Sequence, residues 1–329
     1  MERIELSNAA FEGDNNAYLF DDGPETALID TGDWLDGSKG RLRRELADRD
    51  IDFADIDRIL LTHWHGDHIG LASTIQQEGD ATVHVHGADA PLVAGDADAW
   101  AEMQDLQERY FDEWAIPEEK QEVLFDLMDG SAYTDDPPTV TPIEAGDTFT
   151  INGTELEAVH APGHAVGLCM YEATIDGDND VFTGDALLPQ YTPNVGGADV
   201  RVERPLAKYL DTLGYIADAD YDRAWPGHRD PIDDATARAE YIIHHHEERS
   251  WRVLDALRRL GPCDVWTVSA DLFGDLEHIH ILHGPGESYA HLEHLGRDGL
   301  VERHGKEYRL ADGVEAELDG LDEQRWPLV

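Results

Sequence analysis

The sequence predicts a mixed α/β (α+β) fold, in which helices cover two β-sheets, followed by a mainly helical C-terminal region. Short apolar runs bounded by glycine, proline and aspartate recur along residues 1–232, as expected for strands. Amphipathic segments lie between these runs, and many strands with interspersed helices favour two covered sheets over one doubly wound sheet. Past this range, long helices and one short hairpin take over. We therefore expect one domain at 1–232 and a second at 233–329.

Apolar runs, turn residues and helix starts predict the elements of the first domain. Asn152-Gly153 is a hairpin turn signal, and Ser38 stands where a helix N-cap is expected. The predicted strands are 16–22, 25–32, 58–63, 82–86, the two arms of a hairpin at 147–161, 167–173, 180–187 and 222–228. The predicted helices are 38–50, one from about Asp67 to just before Gly79, and 205–218.

Residues 88–138 form an acidic helical insertion. Its apolar residues recur at three- and four-residue steps along one helix face. They are Trp100, Met103, Leu106, Tyr110, Phe111 and Trp114. Pro117 suits the first turn of a second helix at 117–128. The stripe either packs onto the domain or belongs to a lid whose aromatic side chains line a substrate pocket.

The C-terminal region is predicted to begin with a long helix over about 234–260. Segments at 264–274 and 286–299 and a hairpin at 300–310 follow it. A helix, a short helix, a helix and a β-ribbon is the order of a winged helix. We expect this region to cap a site or to support a homodimer, with RNA binding as the alternative.

The chain is strongly acidic, since 71 Asp and Glu residues face 24 Lys and Arg residues for a formal net charge of −47. Such a charge strains a compact fold by self-repulsion, which molar salt screens because the Debye length falls to about 3 Å. The acidic, lysine-poor composition is typical of a protein from a salt-accumulating extreme halophile. Because no basic face is evident, nucleic acid is not the favoured partner.

Segments for targeting or membrane insertion are not evident. No apolar run is long enough to span a membrane, and the first residues lack the apolar core of a secretory signal. The two cysteines, Cys169 and Cys263, stand in unrelated contexts, which argues against a disulfide framework and fits a reducing compartment. We therefore expect a cytoplasmic protein without a membrane partner.

Seven histidines and aspartates stand where apolar sequence gives way to tight turns, the positions at which a sheet presents functional groups. They are His63, His65, Asp67 and His68 in THWHGDHIG, His164 in APGHAVG, Asp185 in FTGDAL and His228 in WPGH. Imidazole and carboxylate suit zinc and similar divalent ions, but seven ligands are too many for one tetrahedral zinc. They fit two metals about 3.5–4 Å apart with a shared carboxylate.

The spacing within the first motif divides it between two ions. In an extended chain the side chains of His63 and His65 point the same way. Asp67 and His68, one register further along, would then face a second ion.

These motifs, in this order, resemble the metallo-β-lactamase superfamily over about residues 1–232, which implies an αββα sandwich. The resemblance implies two metal sites with a shared carboxylate: a first site of His63, His65 and His164, a second of Asp67, His68 and His228, and Asp185 bridging both. The motif LIDTG also matches, and it makes Asp30 the expected partner of a ligating histidine.

The chemistry expected of such a site is hydrolysis. Two divalent ions, zinc by preference with iron or manganese as alternatives, lower the pKa of a shared water, and the bridging hydroxide attacks a carbonyl or phosphoryl centre. Asp185 joins the ions and Asp67 also handles the proton, so both are predicted to be catalytic. We favour a small ester or thioester as the substrate.

The resemblance leaves other substrate classes open. Glyoxalase II-like members share the seven ligands but recognise glutathione with basic groups, whereas this chain ends in an acidic segment. The layout with a C-terminal winged helix looks most like the lactamase-β-like protein 2 group, which includes endoribonucleases. A metal-dependent endoribonuclease or phosphodiesterase acting on single-stranded RNA is therefore the alternative. A mononuclear iron persulfide dioxygenase is a further one.

Histidines outside the motifs are expected to be ordinary surface or core residues. They include His244, His245, His246, His278, His280, His283, His291 and His294. Among their segments, a loop predicted at 278–286 is the one best placed to fold over the metals.

Overall fold

A computed structural model describes residues 1–8, 13–129 and 136–320. The predicted insertion includes residues 130–135 and the predicted C-terminal domain includes residues 321–329, and both stretches lie outside the described residues. In the part of the chain that is described, no helix combines the length and the apolar character needed to cross a bilayer.

Two main β-sheets organise the described part of the first domain. The first sheet has the spatial order β1 (Glu2–Leu6), β2 (Asn15–Phe20), β3 (Ala27–Ile29), β4 (Arg58–Leu60), β5 (Thr82–His86) and β6 (Val140–Ile143). The second has the order β11 (Arg223–Pro226), β10 (Asp178–Gly184), β9 (Cys169–Ile175), β8 (Thr154–His160) and β7 (Thr148–Ile151). Strands β3 to β6 are parallel, as are β10 and β11, and the other neighbours are antiparallel.

The sheets pack face to face through a shared apolar core. Tyr18 of β2 meets Phe182 of β10 edge to face, with 4.9 Å between the ring centroids, and Leu60 and Tyr171 are fully buried in the same cluster. Helices cover the outer faces. The helices of this domain are α1 (Asp36–Ala47), α2 (Gly66–Ile69), α3 (Ala72–Gly79), α4 (Ala90–Val93), α5 (Ala97–Glu113), α6 (Glu118–Asp129) and α7 (Pro205–Asp218). The prediction of two covered sheets is therefore confirmed.

Two local predictions near the N-terminus differ from the structure. Strand β1 was not expected, because only two apolar residues, Ile4 and Leu6, carry its alternating pattern. The single helix expected after the histidine cluster is two helices, α2 and α3, with a break at Gly70. A Cβ on Gly70 would lie 2.4 Å from the backbone nitrogen of Trp34, so close packing of two chain segments decides this break.

The apolar stripe of the insertion is packed rather than open. Met103, Phe111 and Trp114 are buried in the main core. The Trp114 carbonyl accepts a hydrogen bond from the Trp266 amide at 2.9 Å, and the Tyr110 ring lies 5.4 Å from that of Tyr289. The stripe thus joins the insertion to the C-terminal helices, which supports the packing alternative. A lid role for the segment stays a prediction.

The C-terminal region has the expected order of elements. It contains α8 (Ala235–Leu260), α9 (Val265–Phe273), α10 (His280–Arg297), the paired strands β12 (Val301–His304) and β13 (Glu307–Leu310), and α11 (Val314–Gly320). The winged-helix assignment and the domain boundary stay predictions.

One prediction for this region was wrong, because α10 begins at His280 and no loop spans 278–286. Pro285 lies inside the helix between Gly284 and Gly286, a sequence typical of a break. A Cβ on Gly286 would lie 2.3 Å from the Cα of Gly197, so this glycine serves a close helix-to-loop contact instead.

Candidate metal centre

The seven predicted ligands converge at one edge of the sandwich, because the strands that precede them end there. His63 and His65 follow β4, Asp67 and His68 lie on α2, His164 follows β8, Asp185 follows β10 and His228 follows β11. Between β10 and β11 the register shifts near Gly184, directly before Asp185. Irregular strand ends of this kind re-aim side chains next to functional sites.

The first ligand group consists of His63, His65 and His164. The Nδ1 atom of His65 lies 2.9 Å from Nε2 of His63 and 3.0 Å from Nε2 of His164. Three imidazole nitrogens thus face one small volume. The sequence predicted this group through the resemblance, but only the structure shows that His65 presents Nδ1 and the other two present Nε2.

The second ligand group consists of Asp67, His68 and His228. Oδ2 of Asp67 lies 3.4 Å from Nε2 of His228 and 3.9 Å from Nε2 of His68. Asp67 and His68 both lie on the one-turn helix α2, in agreement with the helix predicted to start near Asp67, so strand register does not place these two side chains. The helical turn, rather than strand alternation, directs them away from the first group.

Asp185 lies between the two groups. Its Oδ2 is 3.7 Å from Nε2 of His164 and 3.5 Å from Nε2 of His228, and its Oδ1 is 3.5 Å from Nε2 of His68. One carboxylate therefore approaches ligand atoms of both groups.

The donor set fits divalent metal ions. Three of its buried atoms have no hydrogen-bond partner among the described residues: Nε2 of His68, Nε2 of His228 and Oδ1 of Asp185. Buried polar atoms normally have partners, and an ion is one explanation of an exception. Gly227 helps to form this cradle, because a Cβ there would lie 2.5 Å from Oδ1 of Asp185 and 2.6 Å from Cε1 of His68.

Asp30 contacts His68 of the second group directly and reaches His63 of the first group only through Thr62. Its Oδ2 accepts from Nδ1 of His68 at 2.9 Å and from the Thr62 hydroxyl at 2.8 Å. The Thr62 hydroxyl lies 3.0 Å from Nδ1 of His63. Asp30 has a left-handed backbone, with φ of 55°, the kind of strain that collects at functional sites. Its contact with His68 agrees with the role implied by LIDTG, while Thr62 carries no sequence signal of its own.

The electrostatic settings of the two groups differ. In the first, burial followed by the neighbouring imidazoles lowers the pKa of His63 well below its ordinary value, and burial with His164 lowers the pKa of His65 to about 4. In the second, burial opposes protonation, but Asp185 and Asp67 raise the pKa of His68 well above its ordinary value. His63 and His65 are therefore held neutral, whereas the second group is a network of opposite charges.

Several neighbouring residues were not predicted from the sequence. The side-chain amides of Asn8 and Asn15 each donate to Oδ2 of Asp67 at 3.2 Å. The carbonyl of Asn194 pairs with Nδ1 of His164 at 2.9 Å, and that of Ala198 with Nε2 of His65 at 3.1 Å. A backbone acceptor has no side-chain signature, so no sequence signal could have indicated the last two.

Among the other histidines, His283 has His164 and His65 of the first group as electrostatic neighbours. Burial, then His164, lowers the pKa of His283 to about 3, and its carbonyl accepts from the Asn194 side-chain amide at 3.0 Å. His246 and His291 do not reach the metal centre, and they form a separate buried cluster with Glu287.

The family follows from comparison with known proteins. A sequence model described as the metallo-beta-lactamase superfamily matches residues 10–228, more than half of the chain. The chain belongs to the metallo-beta-lactamase superfamily. Members of this superfamily are typically metal-dependent hydrolases, and the metal-compatible groups lie where the predicted ligands converge.

Solved structures extend the likeness to the C-terminal helices. A metallo-beta-lactamase family protein from Thermus thermophilus is 30% identical, with a TM-score of 0.79 over 94% of this chain and 98% of that one. A beta-lactamase domain protein from Burkholderia ambifaria is 22% identical, with a TM-score of 0.76 over 94% and 91%, and shows the shared fold alone.

The chain matches only part of each of two curated relatives. The beta-lactamase-like protein 2 homolog of Drosophila melanogaster is 29% identical over 73% of this chain and 66% of its own length. The lactamase-like protein vrtG of Penicillium aethiopicum is 28% identical over 74% and 60%. The matched part of the chain thus spans about three fifths of these two proteins.

Proposed function

We propose that this superfamily hydrolase is dinuclear and that it hydrolyses a small ester or thioester. The observation that carries the proposal is the position of Asp185, whose two oxygens lie within 3.7 Å of imidazole nitrogens from both ligand groups. The first group would hold one ion through three histidines, and the second would hold its neighbour through two histidines and Asp67. Zinc is the preferred metal for such a donor set, and iron or manganese are alternatives.

Two divalent cations bound there would supply Lewis acidity and a water of lowered pKa. The residues of this chain then have separable tasks. Asp185 is nearly buried and acts as the shared carboxylate, whereas the Asp67 side chain is 32% exposed and is the carboxylate that solvent and substrate can reach. Asn8 and Asn15 occupy its Oδ2, so we assign Oδ1 of Asp67 as the atom that receives a proton during hydrolysis.

The residues around the ligands support a small, partly apolar substrate. The Trp34 side chain, 39% exposed, lies against Gly66 beside Asp67. Tyr191, 48% exposed, stacks with the Arg229 guanidinium at 5.0 Å, and Arg229 directly follows His228. Aromatic faces with one cation suit an acyl group that carries a polar or anionic end.

Single-stranded RNA is the second candidate, favoured by the match to the beta-lactamase-like protein 2 homolog and by the RNA-cleaving members of the group that the sequence resembles. The net charge of −47 opposes it, because phosphate contacts supply most of the affinity for nucleic acid. A mononuclear iron persulfide dioxygenase is the further alternative.

Elemental analysis and a substrate panel test the proposal. Purified protein should contain about two metal equivalents per chain, and a single tightly bound iron would instead favour the dioxygenase. Thioesters, lactones, bis-p-nitrophenyl phosphate and single-stranded RNA should be assayed at high salt, where the charge is screened. Asp185→Asn is the inactive variant, and Asp222→Asn is its control, because Asp222 lies at an exposed turn where it accepts from the Asn179 amide.

The outcomes of this panel are distinct. Ester or thioester turnover that Asp185→Asn abolishes supports the proposal. RNA cleavage that depends on Asp185, without esterase activity, would replace it with the nuclease. Light scattering of the same samples tests the proposed homodimer.

A further inference from the structure

A short loop, residues 194–198, lies between the first ligand group and helix α10. The Asn194 carbonyl pairs with Nδ1 of His164 at 2.9 Å, and the Ala198 carbonyl pairs with Nε2 of His65 at 3.1 Å. A carbonyl only accepts hydrogen bonds, so each imidazole must carry its proton on the nitrogen that faces the loop. The opposite nitrogen of each ring is then left with a free lone pair toward the proposed metal site.

The Asn194 side chain holds the shape of this loop. Its Oδ1 accepts from the amides of Gly197 at 3.1 Å and Ala198 at 2.8 Å. Its Nδ2 donates to the His283 carbonyl at 3.0 Å and to Oε2 of Glu287 at 3.2 Å, and both of these partners belong to α10. The Oδ1 atom of Asn194 therefore stabilises the turn of the loop, and its Nδ2 atom attaches the loop to the C-terminal region.

Glu287 makes a second contact with the loop. Its Oε2 also accepts from the Val195 amide at 3.1 Å. The loop and the helix touch through backbone, because a Cβ on Gly196 would lie 2.6 Å from the Gly286 carbonyl oxygen. The Glu287 carboxylate therefore ties the loop to α10 where the two backbones meet.

The cluster around Glu287 keeps this carboxylate charged and in place. The side chain is buried, and its Oε1 accepts from the Arg249 guanidinium, with Nδ1 of His246 at 3.7 Å and Nε2 of His291 at 3.8 Å. Burial would raise the pKa of Glu287, but Arg249 and the neighbouring histidines hold it well below the ordinary range.

A metal ion is a poorer account of this cluster than an ion pair. The two histidines and Glu287 have ligand atoms close enough to hold one. However, the Arg249 cation is bonded to the same carboxylate oxygen that an ion would need. Both ring nitrogens of His291 also have hydrogen-bond partners already. The Ser250 hydroxyl lies 2.9 Å from Nδ1, and Nδ1 of His246 lies 3.2 Å from Nε2.

We infer that Glu287 is a positioning residue for the first ligand group. Through Asn194 and the 194–198 loop, α10 fixes which nitrogen of His164 and His65 faces the metal and how each ring is oriented. The C-terminal region is then part of the metal centre. This inference rests on the proposed dinuclear site, since a positioning role requires ligands to position.

Zinc titration of the metal-free protein tests the inference. Zinc is added in competition with a chromophoric chelator, and the affinity of each equivalent is measured for wild type, Glu287→Gln and Asn194→Ala. Loss of a residue that orients metal ligands costs about 10–100-fold in affinity. We expect that loss for one zinc equivalent, with the other unchanged. Asn194→Ala removes no buried charge, so it keeps the test valid if Glu287→Gln folds poorly.

Ser250→Ala is the matched control. It removes one buried hydrogen bond from the same cluster, to His291, without touching the loop. It should lower the melting temperature and leave both zinc affinities unchanged. If Asn194→Ala and Glu287→Gln behave like the control, or weaken both equivalents equally, the positioning role is wrong. A wild-type chain that binds fewer than two zinc ions would instead overturn the dinuclear site, and this is seen before any variant is compared.

Discussion

The two ligand groups of the metal centre are oriented by different parts of the molecule. In the first group, the outer nitrogens of His65 and His164 face carbonyls of the 194–198 loop, which α10 supports. In the second, the outer nitrogen of His68 faces the Asp30 carboxylate, and that of His228 faces the Gly13 carbonyl at 3.1 Å. The first group thus depends on the C-terminal region, whereas the second is complete within the sandwich.

The two ligand groups also differ in the charge of their side chains. In the first, burial and neighbouring imidazoles favour the neutral form of His63 and His65, which is the form that binds metal. In the second, the charges of His228 and His68 hold the pKa of Asp185 well below its ordinary value although burial raises it. This half is already stabilised by attraction between its own side chains. The comparison teaches that one half of a site can rely on neutral imidazoles while the adjacent half relies on oppositely charged side chains.

The largest effect is expected from Asp185→Asn, which removes the charge that both halves share. Zinc affinity should fall for both equivalents by more than about 100-fold, which is the upper end of the loss expected when a residue that supports a ligand is removed. Turnover should be abolished. Inductively coupled plasma mass spectrometry and the substrate panel measure both. Unchanged metal content would show that Asp185 does not join the two groups.

A smaller loss of zinc affinity, unequal between the two zinc equivalents, is expected from Asp30→Asn. The amide has only one acceptor oxygen, so it can no longer accept from the Thr62 backbone amide at Oδ1 and also from His68 and the Thr62 hydroxyl at Oδ2. Zinc affinity should fall by about 10–100-fold, mainly at the equivalent that Asn194→Ala leaves unchanged. Asp222→Asn is the surface control. A loss confined to the same equivalent that Asn194→Ala weakens would contradict the assignment of Asp30 to the second half.

Gly227→Ala probes the second half by sterics alone. The added methyl would lie 2.5 Å from Oδ1 of Asp185, so the carboxylate or the backbone must shift. We expect about 1–3 kcal/mol lower unfolding free energy and weaker zinc binding at that half. Gly214→Ala in α7 is the control, since its Cβ meets nothing within 4 Å, and it should stabilise the helix by about 0.5–1 kcal/mol. Equal effects of the two substitutions would refute the cradle.

The smallest effect concerns the pH dependence of the support for the first half. Because the pKa of Glu287 is held below its ordinary value, its carboxylate contributes stability that is fully present above the unfolded-state pKa of about 4.3 and is lost as pH falls through the folded-state pKa. The unfolding free energy of wild type should therefore exceed that of Glu287→Gln by a constant amount above about pH 5 and by a shrinking amount below about pH 4. Urea titrations at several pH values measure this difference. A difference independent of pH would mean that Arg249 does not hold Glu287 ionised.

The predictions that succeeded rest on local signals. The superfamily and its covered two-sheet fold are confirmed. Both were predictable because short motifs and strand patterns depend on residues that are close together in the sequence. The assignment of the seven ligands stays a prediction that the geometry supports. Errors arose where packing overrode local propensity, as at Gly70, which interrupts a helix, and at Gly286, which does not.

The sequence by itself determined which side chains are the candidate ligands, because His63, His65, Asp67 and His68 occur within six positions and the other three in recognisable turns. Only the tertiary structure decided which nitrogen each ring presents and what holds it there. Those contacts join residues far apart in the chain, such as Asn194 with His164 and Glu287 with Asn194. A hydrogen bond to a backbone carbonyl depends on where the chain runs, not on which residue supplies it, so it leaves no trace in the sequence.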